Sequence, residues 1–195
     1  MGSLFDLIDT LGKGTDLAAH LADAEILVCD DMGDESADFI MVQAAAGLRR
    51  RRVVFIHGKA SAVGSMCSAS TLQEVCGQAV KNLGEVSLFA EARRLRSAKW
   101  LTAWNGRPHT KGSVKKRIRR GRTGDVEEEI RRVVKDPSAD REVWLMLGNL
   151  LSKSNMQGQL MSDRPSGPAI QAAYLLSSTI SSVAAAGARL TVFSS

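Results

Sequence analysis

The chain is poor in the residues that mark several common protein classes. It has 3 cysteines, 4 prolines and 5% aromatic residues in 195 positions. The cysteine count is odd and no CxxC pair occurs, which argues against a disulfide framework or a zinc knuckle and favours reduced thiols. No apolar run approaches the ~18 residues of a membrane span, and the amino terminus lacks the regions of a signal peptide. We therefore expect a cytoplasmic protein with no membrane partner.

Most familiar catalytic signatures are also missing. The histidines stand far apart at positions 20, 57 and 109, and no HExxH, GxSxG or GxGxxG motif occurs. Lys13 lies between two glycines, but the spacing is not that of a phosphate-binding loop and no predicted strand precedes it. These absences argue against a histidine-rich metal site and a standard hydrolase triad.

What remains is an ordinary globular composition. Hydrophobic residues make up 44% and charged residues 24% of the chain. A chain of 195 residues suits one domain with a sizeable core, so we expect a single domain over residues 1–195. The last predicted strand, residues 189–193, ends almost at the terminus, which favours a domain cut from a longer protein. Homo-oligomerisation stays open.

Positive charge is concentrated in one stretch. The net charge is +5, and between Glu91 and Arg122 the chain has twelve Lys or Arg residues and no acid after Glu91 itself. We interpret residues 91–124 as a basic loop or helix insertion that contacts the phosphates of a nucleic acid, with DNA as the expected form and a solvated surface as the alternative. The best candidates for backbone contact are Lys111, Lys115, Lys116, Arg117, Arg119 and Arg120. Two neighbouring tryptophans, Trp100 and Trp104, are expected in the core rather than as base-stacking platforms.

Hydrophobic patterning predicts an α/β protein. Three short apolar runs with brief connections indicate an antiparallel meander of strands at residues 25–29, 38–42 and 52–57. The further predictions are helices at residues 3–11, 16–21, 70–83, 87–104, 125–135 and 166–186, strands at 142–147 and 189–193, and a loop at 106–124.

Two charged residues on the meander suggest a reaction centre. Asp38 opens the second predicted strand and Lys59 follows the third. Adjacent antiparallel strands bring such positions together. An acid that holds Mg²⁺ (or Mn²⁺) beside a lysine is what phosphodiester hydrolysis needs, because the metal neutralises phosphate charge and the lysine positions water or stabilises developing negative charge.

Three segments carry a family resemblance. They read CDDMGDESADFI at residues 29–40, FIHGK at 55–59 and EVCGQAVK at 74–81. Over about residues 25–84 they resemble the PD-(D/E)XK, or restriction-endonuclease-like, nuclease superfamily, and among its members the nuclease-like domains of bacterial helicase and phage-defence proteins. The resemblance implies a restriction-endonuclease-like αβββαβ core, with a mixed central sheet flanked by helices. It also implies a bacterial protein with helicase or other domains at full length.

The chain departs from the superfamily pattern at two positions. Ala37 stands where the family has proline, and His57 stands where it has the second acid. A neutral histidine can ligate a metal, but it supplies no negative charge. The candidates that can replace the missing carboxylate are Glu35, Asp31 and, on the first predicted helix, Asp9.

The resemblance also implies roles for single residues. Asp38 holds the metal, Lys59 assists the water, and Gln78 on the following helix faces the site or the scissile strand. The candidate catalytic residues are thus Asp38, Lys59, His57, Glu35 and Gln78, and the candidate metal ligands are Asp38, Glu35 and Asp31. We expect a metal-dependent endonuclease of bacterial defence or DNA processing. The alternatives are a catalytically degenerate module that binds nucleic acid and a domain that binds a partner protein.

Overall fold

The described residues fold into seven α-helices, one 3₁₀ turn and six strands. The computed structural model describes residues 3–31, 34–60, 68–89, 95, 97–104, 116–122 and 124–194. Within these ranges the helices are α1 (Leu4–Asp9), α2 (Ala18–Leu21), α3 (Ala69–Lys81), α4 (Leu83–Val86), α5 (Val126–Lys135), α6 (Lys153–Leu160) and α7 (Gly167–Ala185). The strands are β1 (Ala24–Cys29), β2 (Phe39–Gln43), β3 (Arg52–Ala60), β4 (Ile118–Arg120), β5 (Asp140–Gly148) and β6 (Arg189–Ser194).

The strands form one mixed sheet in the order β4-β1-β2-β3-β5-β6. Neighbours from β4 to β3 pair antiparallel, whereas β5 and β6 run parallel to β3. The short connections of the meander allow only antiparallel pairing, and the longer connections after β3 contain the helices that return the chain in the same direction. The predicted α/β class, the antiparallel meander and the mixed sheet flanked by helices are confirmed.

Helices cover both faces of the sheet. Successive strand residues point to opposite faces, so Ile40 and Phe55 pack with α3, α5, α6 and α7, while Phe39 and Ile56 pack with α1 and α2. The four central strands are buried on both sides, which explains their nearly continuous apolar runs. The two cores fix the position of the β2 and β3 ends, where the candidate site lies.

Two predictions between α4 and α5 are wrong. The described part of the predicted helix 87–104 contains a 3₁₀ turn at Ser97–Leu101 instead, which buries Trp100. The predicted loop 106–124 contains β4, which pairs with β1 at the sheet edge. This strand is held by backbone pairing, so its sequence needs no alternation of apolar residues. Among the described residues, no helix combines the length and apolar character that crossing a membrane requires.

Candidate metal centre

Three acidic side chains converge at one end of the meander. Asp31 follows β1, Glu35 lies in the β1–β2 connection and Asp38 immediately precedes β2. One carboxylate oxygen from each lies within 4.8 Å of the others. The two strand ends close on each other because the Asp30 N–H donates to the Asp38 carbonyl at 2.8 Å. The structure therefore brings together the three acids that the sequence proposes as metal ligands.

Asp38 is the most buried member of this acidic cluster, which is defined by Asp31, Glu35 and Asp38. Its side chain accepts a hydrogen bond from the Gly58 N–H at 2.5 Å. The pKa of Asp38 is raised to about 7, chiefly by burial and also by the charges of Asp31 and Glu35, whereas the Gly58 hydrogen bond and the Lys59 charge oppose the rise. Burial and the two neighbouring acids thus disfavour the ionised form of Asp38, and a bound cation would favour it.

Lys59 lies on β3 close enough for its charge to lower the pKa of Asp38. Its Nζ forms an ion pair with the Glu74 Oε2 at 2.8 Å. Glu74 lies on α3 one turn before Gln78, so the two side chains share a helix face, and Gln78 is half-buried there. Sequence reasoning missed Glu74, although its spacing from Gln78 is the signal that could have identified it.

His57 is next to this centre without belonging to it. Burial lowers its pKa to about 4, so the imidazole is neutral at neutral pH. Within the described part of the chain, the acidic cluster is the group with metal-ligand spacing, and it contains no histidine. Two carboxylates, Asp31 and Glu35, therefore accompany Asp38 in place of the imidazole.

Asp30 stabilises the β1–β2 connection, which carries Asp31 and Glu35, through a set of hydrogen bonds that we call the brace of Asp30. Its carboxylate is 1% exposed and accepts the Ser36 N–H at 2.7 Å. The other oxygen accepts the Trp100 indole N–H at 2.6 Å and lies 2.9 Å from the Lys99 Nζ. These bonds hold the two ends of the β1–β2 connection together, so the side chains of Asp31 and Glu35 lie close to each other. The sequence assigns no role to Asp30, because the side chains that contact it, Lys99 and Trp100, lie far along the chain.

A second tryptophan orients a cluster member directly. The Trp104 indole N–H donates to the Asp31 Oδ2 at 2.7 Å, and its ring stacks on Phe5 of α1 at 5.3 Å between centroids. Trp100 and Trp104 are both buried, so the prediction that they belong to the core is confirmed. Their indole N–H groups give them a second role, which is to fix the side chains of Asp30 and Asp31.

Among the described basic residues of the range 91–124, some are bonded within the fold and others face the solvent. Arg117 is buried and donates to the Asp31 carbonyl at 2.6 Å, so the fold itself occupies this guanidinium. Arg119 forms a two-bond ion pair with Asp9 of α1, which places Asp9 outside the acidic cluster. Lys116 and Arg120 are exposed and have no ion-pair partner among the described residues. The candidates Lys111 and Lys115 lie outside the described residues.

The donor set suits a hard divalent cation. Mg²⁺ and Mn²⁺ prefer carboxylate oxygens, and the cluster offers three within 4.8 Å. The pKa of Asp38 is raised chiefly by burial and also by the charges of Asp31 and Glu35, so a cation at the cluster would stabilise its ionised form. The nearby thiol of Cys29 is buried, and burial raises its pKa to about 12, so it is no thiolate ligand. The residues present therefore fit Mg²⁺ or Mn²⁺.

Comparisons with protein-family models, with curated proteins and with solved structures found no match for this chain.

Proposed function

We propose that the chain is a metal-dependent nuclease domain that hydrolyses phosphodiester bonds, with DNA as the expected substrate. The observation that carries the proposal is the acidic cluster, whose three carboxylate oxygens lie within 4.8 Å of one another beside Lys59. Carboxylates that hold a divalent cation next to a lysine are the groups that this reaction needs.

The order of elements supports the proposal. The helix α1, the meander β1–β2–β3, the helix α3 and the strand β5 occur in the chain order of the αβββαβ core of the restriction-endonuclease-like superfamily that the sequence resembles. The elements α2, α4, β4 and α5 are inserted between them. Asp38 at β2 and Lys59 on β3 stand where that resemblance places an acid and a lysine. A bacterial, cytoplasmic protein with further domains fits the same proposal.

Each residue then has a physical task. Asp38, Asp31 and Glu35 hold the cation, which offsets phosphate charge and makes water a better nucleophile at neutral pH. Lys59, held by Glu74, orients the attacking water or stabilises the charge that develops on the phosphate. Hydrolysis adds water across one P–O ester bond and leaves a phosphate monoester and a hydroxyl. Exposed Lys116 and Arg120 contact the nucleic-acid backbone.

A catalytically degenerate module that binds nucleic acid is the second candidate. One observation favours it: buried His57 is neutral and stands where the superfamily has its second acid. This candidate predicts binding that weakens steeply with salt and no cleavage that depends on magnesium.

A cleavage assay separates the two candidates. Plasmid and single-stranded DNA are incubated with Mg²⁺, Mn²⁺ or EDTA, and the chain is compared with Asp38→Asn and Lys59→Ala. We expect cutting with either metal, none with EDTA, and a loss of at least about a thousandfold in Asp38→Asn. Cutting at the original rate in Asp38→Asn would refute this site, and binding without cutting by the unaltered chain would favour the degenerate module.

Glu128→Gln provides the matched control. Glu128 is an exposed acid on α5 and does not belong to the acidic cluster. Its replacement removes one negative charge, as Asp38→Asn does, but we expect it to leave cutting unchanged. Thermal unfolding followed by circular dichroism checks that every variant is folded.

A further inference from the structure

A cleft opens on the α1 face of the sheet, at the carboxyl ends of β5 and β6. Its volume is about 390 Å³, and its walls come from α1, the segment that leads into α2, and the last residues of the two strands. Carboxyl ends of parallel strands are the usual place of ligand sites in α/β proteins. The volume lies in the lower part of the ~300–1,000 Å³ range of ligand pockets, which suits one nucleoside-sized group.

The cleft adjoins the acidic cluster through Gly58. Leu4 lines the cleft, and a Cβ built on Gly58 would lie 3.0 Å from the Leu4 Cδ2 and 3.6 Å from the Asp38 Oδ2. Gly58 also pairs with Met146 in the β3–β5 register, and Met146 lines the cleft. A single glycine therefore separates the cleft from the carboxylate that holds the metal in the proposed nuclease.

The walls of the cleft suit a flat and mainly apolar group. Leu17, Met146 and Phe193 supply apolar surface. The His20 and Phe193 rings pack edge to face, with 5.0 Å between their centroids. The His20 backbone is fixed, because its carbonyl accepts the Gln43 Nε2 at 3.0 Å. Aromatic side chains stack against nucleobases with little dependence on which base it is.

The charge of the cleft excludes a phosphate. Among the residues that the structure describes, no Lys or Arg lines it, and Asp16 contributes a carboxylate. A phosphate group would be repelled there, whereas the amino group of a base can donate to Asp16. The phosphate belongs on the other side of Gly58, near the cation and Lys59.

Resting on the proposed function, we propose that this cleft binds one unpaired nucleobase next to the phosphate that is cut. A base inside a duplex is stacked and paired, and removing it from the stack costs a few kcal/mol. Single strands, overhangs and flaps present such a base without that cost. The substrate class of the nuclease is therefore DNA with an unpaired nucleotide at the cleavage site.

Binding of a fluorescent purine analogue within a short single-stranded oligonucleotide tests the cleft without cleavage. The oligonucleotide is titrated in the presence of EDTA, and we expect quenching of the analogue by stacking. His20→Ala and the cleft-filling Leu17→Trp should each weaken single-strand binding about tenfold, the loss typical of one stacked base. Both should leave binding of a blunt duplex unchanged. Tyr174→Ala, which removes an exposed aromatic residue from α7, is the control and should change neither.

The outcomes distinguish the cleft from the nuclease. Quenching that both variants abolish, without any cutting in Mg²⁺, supports the cleft and refutes the nuclease. Cutting of single strands, overhangs and blunt duplexes at rates that the variants do not alter refutes the cleft alone. Failure to bind the oligonucleotide, or equal losses for single strands and duplexes, also overturns the proposal. Thermal unfolding verifies that the variants are folded.

Discussion

Two buried carboxylates in the same sheet have opposite surroundings. Glu142, near the start of β5, is 1% exposed and Asp38 is 7% exposed. The Glu142 carboxylate accepts the Trp144 indole N–H at 2.7 Å and forms ion pairs with Arg52 and Arg189. Burial by itself raises its pKa, but these partners outweigh burial and hold the pKa below its usual value. Asp38 has two acids near it, and its pKa is raised to about 7.

The comparison shows that burial alone does not make a functional acid. Glu142 is compensated by cations from two neighbouring strands, so its charge stabilises the fold. Asp38 is buried beside two acids, and the Gly58 hydrogen bond and the Lys59 charge offset only part of the rise in its pKa. An ionised acid that is buried without full compensation is costly to a fold, and a divalent cation at the site would offset that cost.

Among these variants, removing the Glu142 charge is expected to cause the largest loss of stability. Glu142→Gln leaves the guanidinium groups of Arg52 and Arg189 without their counter-ion, and breaking such a buried pair costs about 3 kcal/mol. Urea unfolding at neutral pH measures the change. We expect metal binding to be unaffected. A variant as stable as the parent chain would contradict the role of Glu142 in stabilising the fold.

Asp38→Asn is expected to change stability in the opposite direction. The folded-state pKa of Asp38 is raised above its unfolded value of 3.8 to about 7, so the folded state binds the proton more tightly. The contribution of this proton to the free energy of unfolding is complete below pH ~4 and is lost as the pH rises to ~7. The loss is up to about 4 kcal/mol, at 1.36 kcal/mol per pKa unit. Without metal, Asp38→Asn should therefore match the parent chain near pH 4 and be more stable at pH 8.

Urea unfolding at both pH values, with and without Mg²⁺, tests this prediction. Added Mg²⁺ should stabilise the parent chain at pH 8 and leave Asp38→Asn unchanged, because the ligand binds the folded state through the ionised acids. Equal stabilisation of both chains would place the metal elsewhere. Glu142 should show the reverse pH dependence, with its contribution lost as the pH falls below the ordinary glutamate value of 4.5.

Two tryptophans allow the comparison to be made at the level of one hydrogen bond. Trp104 donates to Asp31 at 2.7 Å, and Trp144 donates to Glu142 at 2.7 Å. Trp104→Phe and Trp144→Phe each remove one N–H donor and should cost about 1 kcal/mol of stability. Only Trp104→Phe should also weaken Mg²⁺ binding, by several-fold, because it releases a metal ligand. Calorimetric titration with Mg²⁺ measures this, and equal affinity in the two variants would count against the orienting part of Trp104.

The smallest change in stability is expected for Glu74→Gln. Its ion pair with Lys59 is exposed to solvent, and such pairs contribute little to stability. The unfolding midpoint should therefore stay the same. The cutting rate should fall several-fold, because Lys59 loses the partner that holds it. Lys81→Gln, which removes an exposed charge from the same helix without touching this ion pair, should have no effect on cutting. An identical loss in both variants would argue against a specific role of the Lys59–Glu74 pair.

The sequence predicts local features better than contacts between distant segments. The runs of β1, β2 and β3 and the periodicity of α3, α5 and α7 lie within short windows, so these elements are recognised. β4 is not, since its sequence, Ile118-Arg119-Arg120, has one apolar residue and becomes a strand by pairing with β1. In the described part of the helix predicted over residues 87–104, a 3₁₀ turn stands at Ser97–Leu101, where the buried Trp100 bonds to Asp30, a contact that lies far away in sequence.

The same limit applies to the candidate site. Asp31, Glu35, Asp38 and Lys59 could be proposed because they follow a recognisable meander. The brace of Asp30 could not, since nothing near Asp30 in sequence distinguishes it from Asp31. Only the folded chain shows that Asp30 is engaged by Trp100, whereas Asp31 belongs to the acidic cluster.

Several residues that hold Asp30 and Asp31 in place lie far along the chain, and this has a consequence for biosynthesis. Besides the nearby Ser36 N–H, Asp30 and Asp31 accept hydrogen bonds from Trp100, Trp104 and Arg117, which lie 70, 73 and 86 residues further along the chain. A ribosome adding ~5–20 residues per second releases the metal ligands and Lys59 several seconds before these partners. The nascent chain thus carries the chemical groups of the centre early, and they become ordered only when the later tryptophans and arginine arrive.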